Sequence, residues 1–130
     1  MNTTLTHLFA LASRLFLAFI FIVAGWGKLN GIEGTAGYMA SVGIPLAGIL
    51  VYLVILTELG GGILIAIGYQ TRIVAFLMAG FTIISALIFH FNFADQGQAI
   101  NFMKNIAIAG GFFSLVANGA GAWSLDGRSK

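Results

Sequence analysis

The sequence predicts a bundle of four membrane-spanning helices. Three observations carry that expectation. The chain has 130 residues, of which 59% are hydrophobic and only 8% charged, against about 25% charged in soluble domains. Its mean hydropathy is +1.00, and this composition cannot cover a water-facing surface. Finally, four apolar segments are each long enough to cross about 30 Å of hydrocarbon, which takes roughly 20 residues. In lipid the backbone must satisfy its own hydrogen bonds, so each segment is expected to be a helix.

The first segment, 8–27, ends in A-G-W-G-K. A cleaved leader is not expected here, because residues 1–7 carry no Lys or Arg and Arg14 lies inside the apolar run. The linker 28–45 is the longest. Within it Tyr38, Met39 and Val42 recur at helical spacing between Gly34 and Gly43-Ile44-Pro45, which predicts a short interfacial helix over 35–42. The second segment, 46–67, holds Glu58 followed by Gly60, Gly61 and Gly62. A tight turn at 68–71 leads to the third segment, 72–91, making the second and third an antiparallel hairpin. A polar loop at 93–100 precedes the fourth, 101–118. The whole chain, 1–130, reads as one membrane domain without repeats.

An even number of spans places both termini on one side. That side, with the 68–71 turn, holds Arg14, Arg72, Arg128 and Lys130; the other holds Lys28 and Lys104, offset by Glu33 and Asp95. The positive-inside rule then predicts cytoplasmic termini. Trp26 and Trp123 fall near opposite ends as interfacial anchors. The net charge of +2 is too small and scattered to indicate nucleic acid as a partner. With no cysteine, disulfides, thiol redox chemistry, cysteine-ligated clusters and c-type haem are excluded.

Helical spacing groups residues into stripes: Arg14, Ala18, Phe21, Gly25 and Lys28 on the first span; Arg72, Ala75, Ala79, Thr82, Ala86 and His90 on the third; Lys104, Ala107, Gly111, Ser114 and Asn118 on the fourth. Each combines small residues, which let membrane helices approach, with polar ones, which avoid lipid. All three stripes are therefore expected to face inward.

A carboxylate inside a span is expensive and marks a functional-site hypothesis. Arg14 is about 9 Å, and Glu58 roughly 13 Å, from the terminal-side ends of their predicted spans at 1.5 Å per residue. These similar depths predict an Arg14–Glu58 ion pair fastening the first span to the second. At the other end Lys28, His90, Asn101, Lys104 and Asn105 converge. Two cations, an imidazole and two amides suit an anion or the carbonyls of a quinone head group. The plainer reading is snorkelling lysines and a satisfied interfacial histidine. No catalytic residue and no metal site is assigned.

The ordered pieces Arg14, A-G-W-G-K at 24–28, G-T-x-x-Y-M at 34–39, E-x-G-G-G at 58–62, G-x-x-T-R at 68–72, F-H-x-N-F at 89–93, F-M-K-N at 102–105 and G-A-W-S-L-D at 121–126 resemble the DoxX family, in its DoxD-like, quinol-oxidase-subunit branch. The resemblance runs through all four spans. It implies a four-helix bundle in the bacterial inner membrane, with some members tied to quinone-coupled thiosulfate oxidation and others to membrane-associated redox defence.

Three functions follow as expectations. The first is a quinone-linked redox component, passing electrons from a small donor such as a sulfur oxyanion to membrane quinone. His7 and His90 lie near opposite faces, so a bis-His haem is not expected, and Gly60–Gly62 lies in a span rather than at the strand-to-helix turn of a dinucleotide site. Any electron path is then expected to use bound quinone directly, or a partner redox protein brings the cofactor; a homo-oligomer is the other partner to be expected. The second is a small proton-coupled transporter, since a buried Glu in four spans is similar to the small multidrug resistance transporters. The third is a non-catalytic membrane anchor or assembly subunit.

Overall fold

The computed structural model describes residues 2–128. Four long helices are each apolar enough to cross a membrane: α1 (Thr3–Leu29), α3 (Ala47–Ile67), α4 (Thr71–Phe89) and α5 (Gln96–Asn118). A shorter α2 (Ile32–Ser41) links α1 to α3, and a single turn, α6 (Leu125–Arg128), follows α5. The four expected spans and the short intervening helix are present.

The boundaries differ where polar residues cap helices. α1 begins at Thr3 rather than Leu8, because the Asn2 side chain accepts from the Thr4 and Leu5 amides at 2.7 and 3.4 Å. Its 27 residues rise about 40 Å, longer than the hydrocarbon layer. α5 begins at Gln96 rather than Asn101, because Asp95 accepts from the Gly97 and Gln98 amides at 2.9 and 3.3 Å. α3 closes on Gly68 at φ +71°, with Tyr69 N–H donating to Leu64 O at 3.0 Å and Gly68 N–H to Ile65 O at 3.2 Å, the double bond of a Schellman motif. A Cβ there would also stand 2.7 Å from Arg14 Nη1, so glycine is required by both conformation and space.

The bundle is two tight pairs. α1 packs mainly on α3 and α4 mainly on α5, while α3 and α4 touch less despite the short turn between them. Two of the three consecutive glycines serve different neighbours. Gly62 lies against Ile22 and Ala18 of α1, and Gly61 against the Met78 thioether of α4. The core holds Ala18, Phe21, Ile65, Met78, Ala79, Ala109 and Phe112. Outside, Phe16, Phe19, Ile49 and Leu56 are two-thirds exposed or more, which suits contact with lipid chains.

The first stripe is buried as expected at Arg14, Ala18, Phe21 and Gly25. On α4, Ala75, Ala79, Thr82 and Ala86 are buried, but Arg72 is exposed. The α5 stripe is corrected: Lys104, Ala107, Ser114 and Asn118 are exposed, and Ala109, Phe112 and Leu115 face inward. Burying the larger apolar area of Phe112 and Leu115 outweighs the preference of small residues for the interior.

At the end near the chain termini, two arginines cap helices. Arg14, 1% exposed, donates from Nε to Ala120 O at 3.0 Å, from Nη1 to Ala66 O at 2.8 Å and Ile65 O at 3.3 Å, and from Nη2 to Trp123 O. Arg72 Nη1 donates to Val116 O and Ala117 O at 2.9 and 2.8 Å. The Ile65, Ala66, Val116 and Ala117 carbonyls end α3 and α5, where the helix dipole favours a cation, while Ala120 and Trp123 belong to the segment after α5. Asp126 does the converse for α4, its two oxygens each accepting at 2.8 Å from the Gln70 and Thr71 amides. The segment after α5 thus seals one end of the bundle.

Candidate functional site

The predicted Arg14–Glu58 pair does not form. Glu58 Oε1 lies 2.8 Å from Lys28 Nζ, while Arg14 binds the carbonyls at the far end of α3. Helix register explains the difference. Gly25 of α1 stands against Glu58 and Leu59 of α3, and Ile22 against Gly62. Extended along two antiparallel helices, this register brings Arg14 opposite the turn at Gly68, past the end of α3. Arg14 is eleven residues, or about 17 Å, from the level of Gly25. Side-chain direction adds to this, because helical side chains lean toward the N-terminus. Arg14 therefore leans away from Glu58, and Lys28 leans back toward it. The absent Cβ of Gly25 lets the helices close there: a methyl would sit 2.7 Å from Leu59 Cγ and 3.0 Å from Leu59 N.

The ion pair forms part of the wall of a cavity of about 310 Å³, within the size range of ligand pockets. All five of α1 to α5 contribute. Its polar lining is Lys28, Glu58, Thr35, Tyr38, Thr82, Ser85, His90 and Asn105; the remainder is apolar, including Phe21, Phe81 and Phe89. Tyr38 of α2 stacks on Phe89 at 5.7 Å between centroids, which fixes the short helix over the chamber. Thr82 Oγ1 donates to Met78 O at 2.7 Å, the backbone partner that makes a hydroxyl tolerable in a buried helix. Asn105 Nδ2 donates to Thr82 O at 3.3 Å, which leaves its other amide proton and its carbonyl for a ligand.

His90 Nδ1 is 2.6 Å from Gln98 Oε1. With an acceptor at Nδ1, the neutral ring carries its proton there and presents Nε2 as an acceptor. The cavity wall thus combines a cation, an amide donor, a carboxylate and an imidazole acceptor. Since Lys28 and Glu58 neutralise each other, the chamber suits a neutral polar head group better than a free anion.

Of the residues singled out in the sequence, the structure brings Lys28, His90 and Asn105 into this cavity and adds Glu58. Asn101 and Lys104 are exposed on α5 outside it. On α5, Lys104 is one residue, about 100°, around the helix from Asn105, whereas Asn101, four residues before Asn105 and on nearly the same face, lies one turn nearer the helix start. Thr35, Tyr38 and Ser85 were not singled out. Ser85 lies three residues after Thr82 on the same face, and Tyr38 sits in the G-T-x-x-Y-M piece, so spacing carried a signal for both. Among the described residues no group of three or more His, Cys, Asp or Glu is placed to hold a metal ion.

A four-span helical bundle with an ion-paired carboxylate beneath the short helix α2 defines a class of small polytopic membrane protein. The DoxX family matches residues 9–91, and the chain belongs to that family. The matched stretch contains Lys28, Glu58 and His90. Two Escherichia coli (strain K12) proteins are similar over most of their length. "Inner membrane protein YqjF" is 47% identical over 116 residues, 89% of this chain and 88% of the relative. "Inner membrane protein YphA" is 39% identical over 123 residues, 91% of this chain and 88% of the relative. A Bacillus subtilis (strain 168) protein named "Putative oxidoreductase CatD" is 40% identical over 75 residues, covering 58% of this chain and 54% of that protein. No solved structure matches.

Proposed function

We propose that the cavity binds the head group of a membrane quinone, and that the protein serves quinone-linked redox metabolism in the bacterial inner membrane. The observation that carries this reading is the composition of the chamber wall. A quinone presents two carbonyl acceptors on a flat apolar ring; its reduced form presents two hydroxyl donors. Lys28 and the Asn105 amide can donate to the former, and His90 Nε2 and Glu58 can accept from the latter. Phe21, Phe81 and Phe89 offer apolar surface to the ring. The neutral Lys28–Glu58 pair favours such an uncharged ligand over a sulfur oxyanion, so an anionic electron donor would be handled by a partner protein. The inner-membrane names of the two E. coli relatives and the oxidoreductase name of the Bacillus protein support the location and the chemistry. With cytoplasmic termini, as the basic-residue count favours, the cavity lies toward the outer face.

The test is mass spectrometry of small molecules retained by the detergent-purified protein. Near-stoichiometric quinone in the wild type, lost in Lys28→Met and kept in Lys104→Ala, is the expected result. No retained quinone, with none bound on addition, refutes the reading.

A further inference from the structure

Beside the polar cavity lies a second space of about 480 Å³, between α3, α4 and the turn that follows α2. The two share Met39, Val54, Phe81, Ser85 and Phe89 as common walls. Ser85 is the one hydroxyl in the second lining; the rest is apolar, including Leu50, Leu53, Ile84 and Ile88. The sparse contact between α3 and α4 leaves this groove. Its far rim is on the outside of the bundle, where Leu53 is 57% and Ile84 58% exposed, at positions that meet lipid. Met39, buried with Ala47, Val51 and Ile55, holds α2 on α3. Gly43 at φ +90° and Leu46 at φ 55° shape the turn that overhangs the groove.

We infer that this groove is the seat of the quinone's isoprenoid tail, so that the ligand enters sideways from the bilayer between α3 and α4, head first into the cavity. The inference rests on the quinone reading above. Two observations select this occupant. Only the side chains of Met39, Val54, Phe81, Ser85 and Phe89 stand between the groove and a chamber with hydrogen-bonding groups, so a ligand that occupies both carries a polar head on an apolar chain. The chamber's ion pair is internally neutral, so that head is uncharged. A phospholipid, with its phosphate and paired chains, meets the second condition poorly.

The experiment titrates the full-length protein in nanodiscs with a long-tailed benzoquinone and, separately, with the same ring lacking its tail. Wild type is compared with Leu53→Trp and Ile84→Trp, which narrow the groove from lipid-facing positions that tolerate a large side chain. The expected result is at least a tenfold loss of affinity for the long-tailed quinone in both variants, with tail-less binding unchanged. Equal long-tailed affinity in all three proteins overturns the groove while leaving the head site standing. Wild type that binds neither quinone overturns the head site itself. A tightly held phospholipid at the groove, displaced by neither quinone, also overturns the assignment of the tail.

Discussion

Removing Lys28 should cost far more than neutralising Glu58, although the two form one pair. At 2.8 Å and an effective dielectric of 20, their attraction is roughly 6 kcal/mol. That gross figure offsets the desolvation of a carboxylate whose side chain is only 8% exposed, against 31% for the lysine. Lys28→Met strands the carboxylate among apolar helices, and breaking a buried pair this way costs about 3 kcal/mol or more. Glu58→Gln keeps the shape and an acceptor oxygen, and the lysine stem can carry its charge toward the interface, so about 1 kcal/mol is expected, the scale of one hydrogen bond. The double variant removes both charges and should lose about 1.5 kcal/mol, well short of the sum, as coupled neighbours do. Equilibrium unfolding by steric trapping in bilayers reads all four proteins. Additive losses, or a Glu58→Gln variant less stable than Lys28→Met, would refute the pairing.

Other perturbations test the frame around the site. Gly25→Ala should destabilise the bundle by about 1–3 kcal/mol, the cost of overpacking, because the backbone amide of Leu59 cannot give way, and should weaken quinone binding. Gly60→Ala meets only Leu56 Cδ1 at 3.8 Å and should be neutral or stabilising by up to ~1 kcal/mol; thermal melts of both in one detergent decide. Arg14→Met removes the side-chain donors to four carbonyls, two buried and two part-buried, and should cost about 3 kcal/mol, releasing the segment after Asn118 to protease, whereas Asp126→Ala should lose about 1 kcal/mol with its cap. A green fluorescent protein fused after the last residue should fluoresce, and alkaline phosphatase there should stay inactive, if the termini are cytoplasmic.

Much of this frame was legible in the sequence because lipid leaves few options for a backbone. Four spans, the intervening helix and the inward faces of α1 and α4 follow from length and helical spacing. The face of α5 did not, because its small and polar residues form one stripe and its larger apolar residues another, and burial favoured the second. The partner of Glu58 was not legible either. Depth along a span can be read from sequence, but α1–α3 register is set by Gly25 meeting Glu58 and Leu59, and by Ile22 meeting Gly62, which is a fact of three dimensions. The same register moved Arg14 from the candidate site to a structural cap and brought Lys28 into the cavity. Lys28, His90 and Asn105 line one cavity while Asn101 and Lys104, expected beside them, stand outside it; Ser85 follows from its spacing to Thr82 on α4, and Thr35 and Tyr38 join the lining because α2 lies over the bundle.

The central claim is that the cavity beneath α2 is where quinone sits. Photo-crosslinking the purified protein with an azido-benzoquinone, followed by peptide mass spectrometry, tests it most directly. The account predicts label on residues lining the cavity, Tyr38, Ser85, Phe89 and His90 foremost, competed away by unlabelled quinone and lost in Lys28→Met. Label confined to the exposed face of Asn101 and Lys104, or scattered over lipid-facing positions without competition, would contradict it.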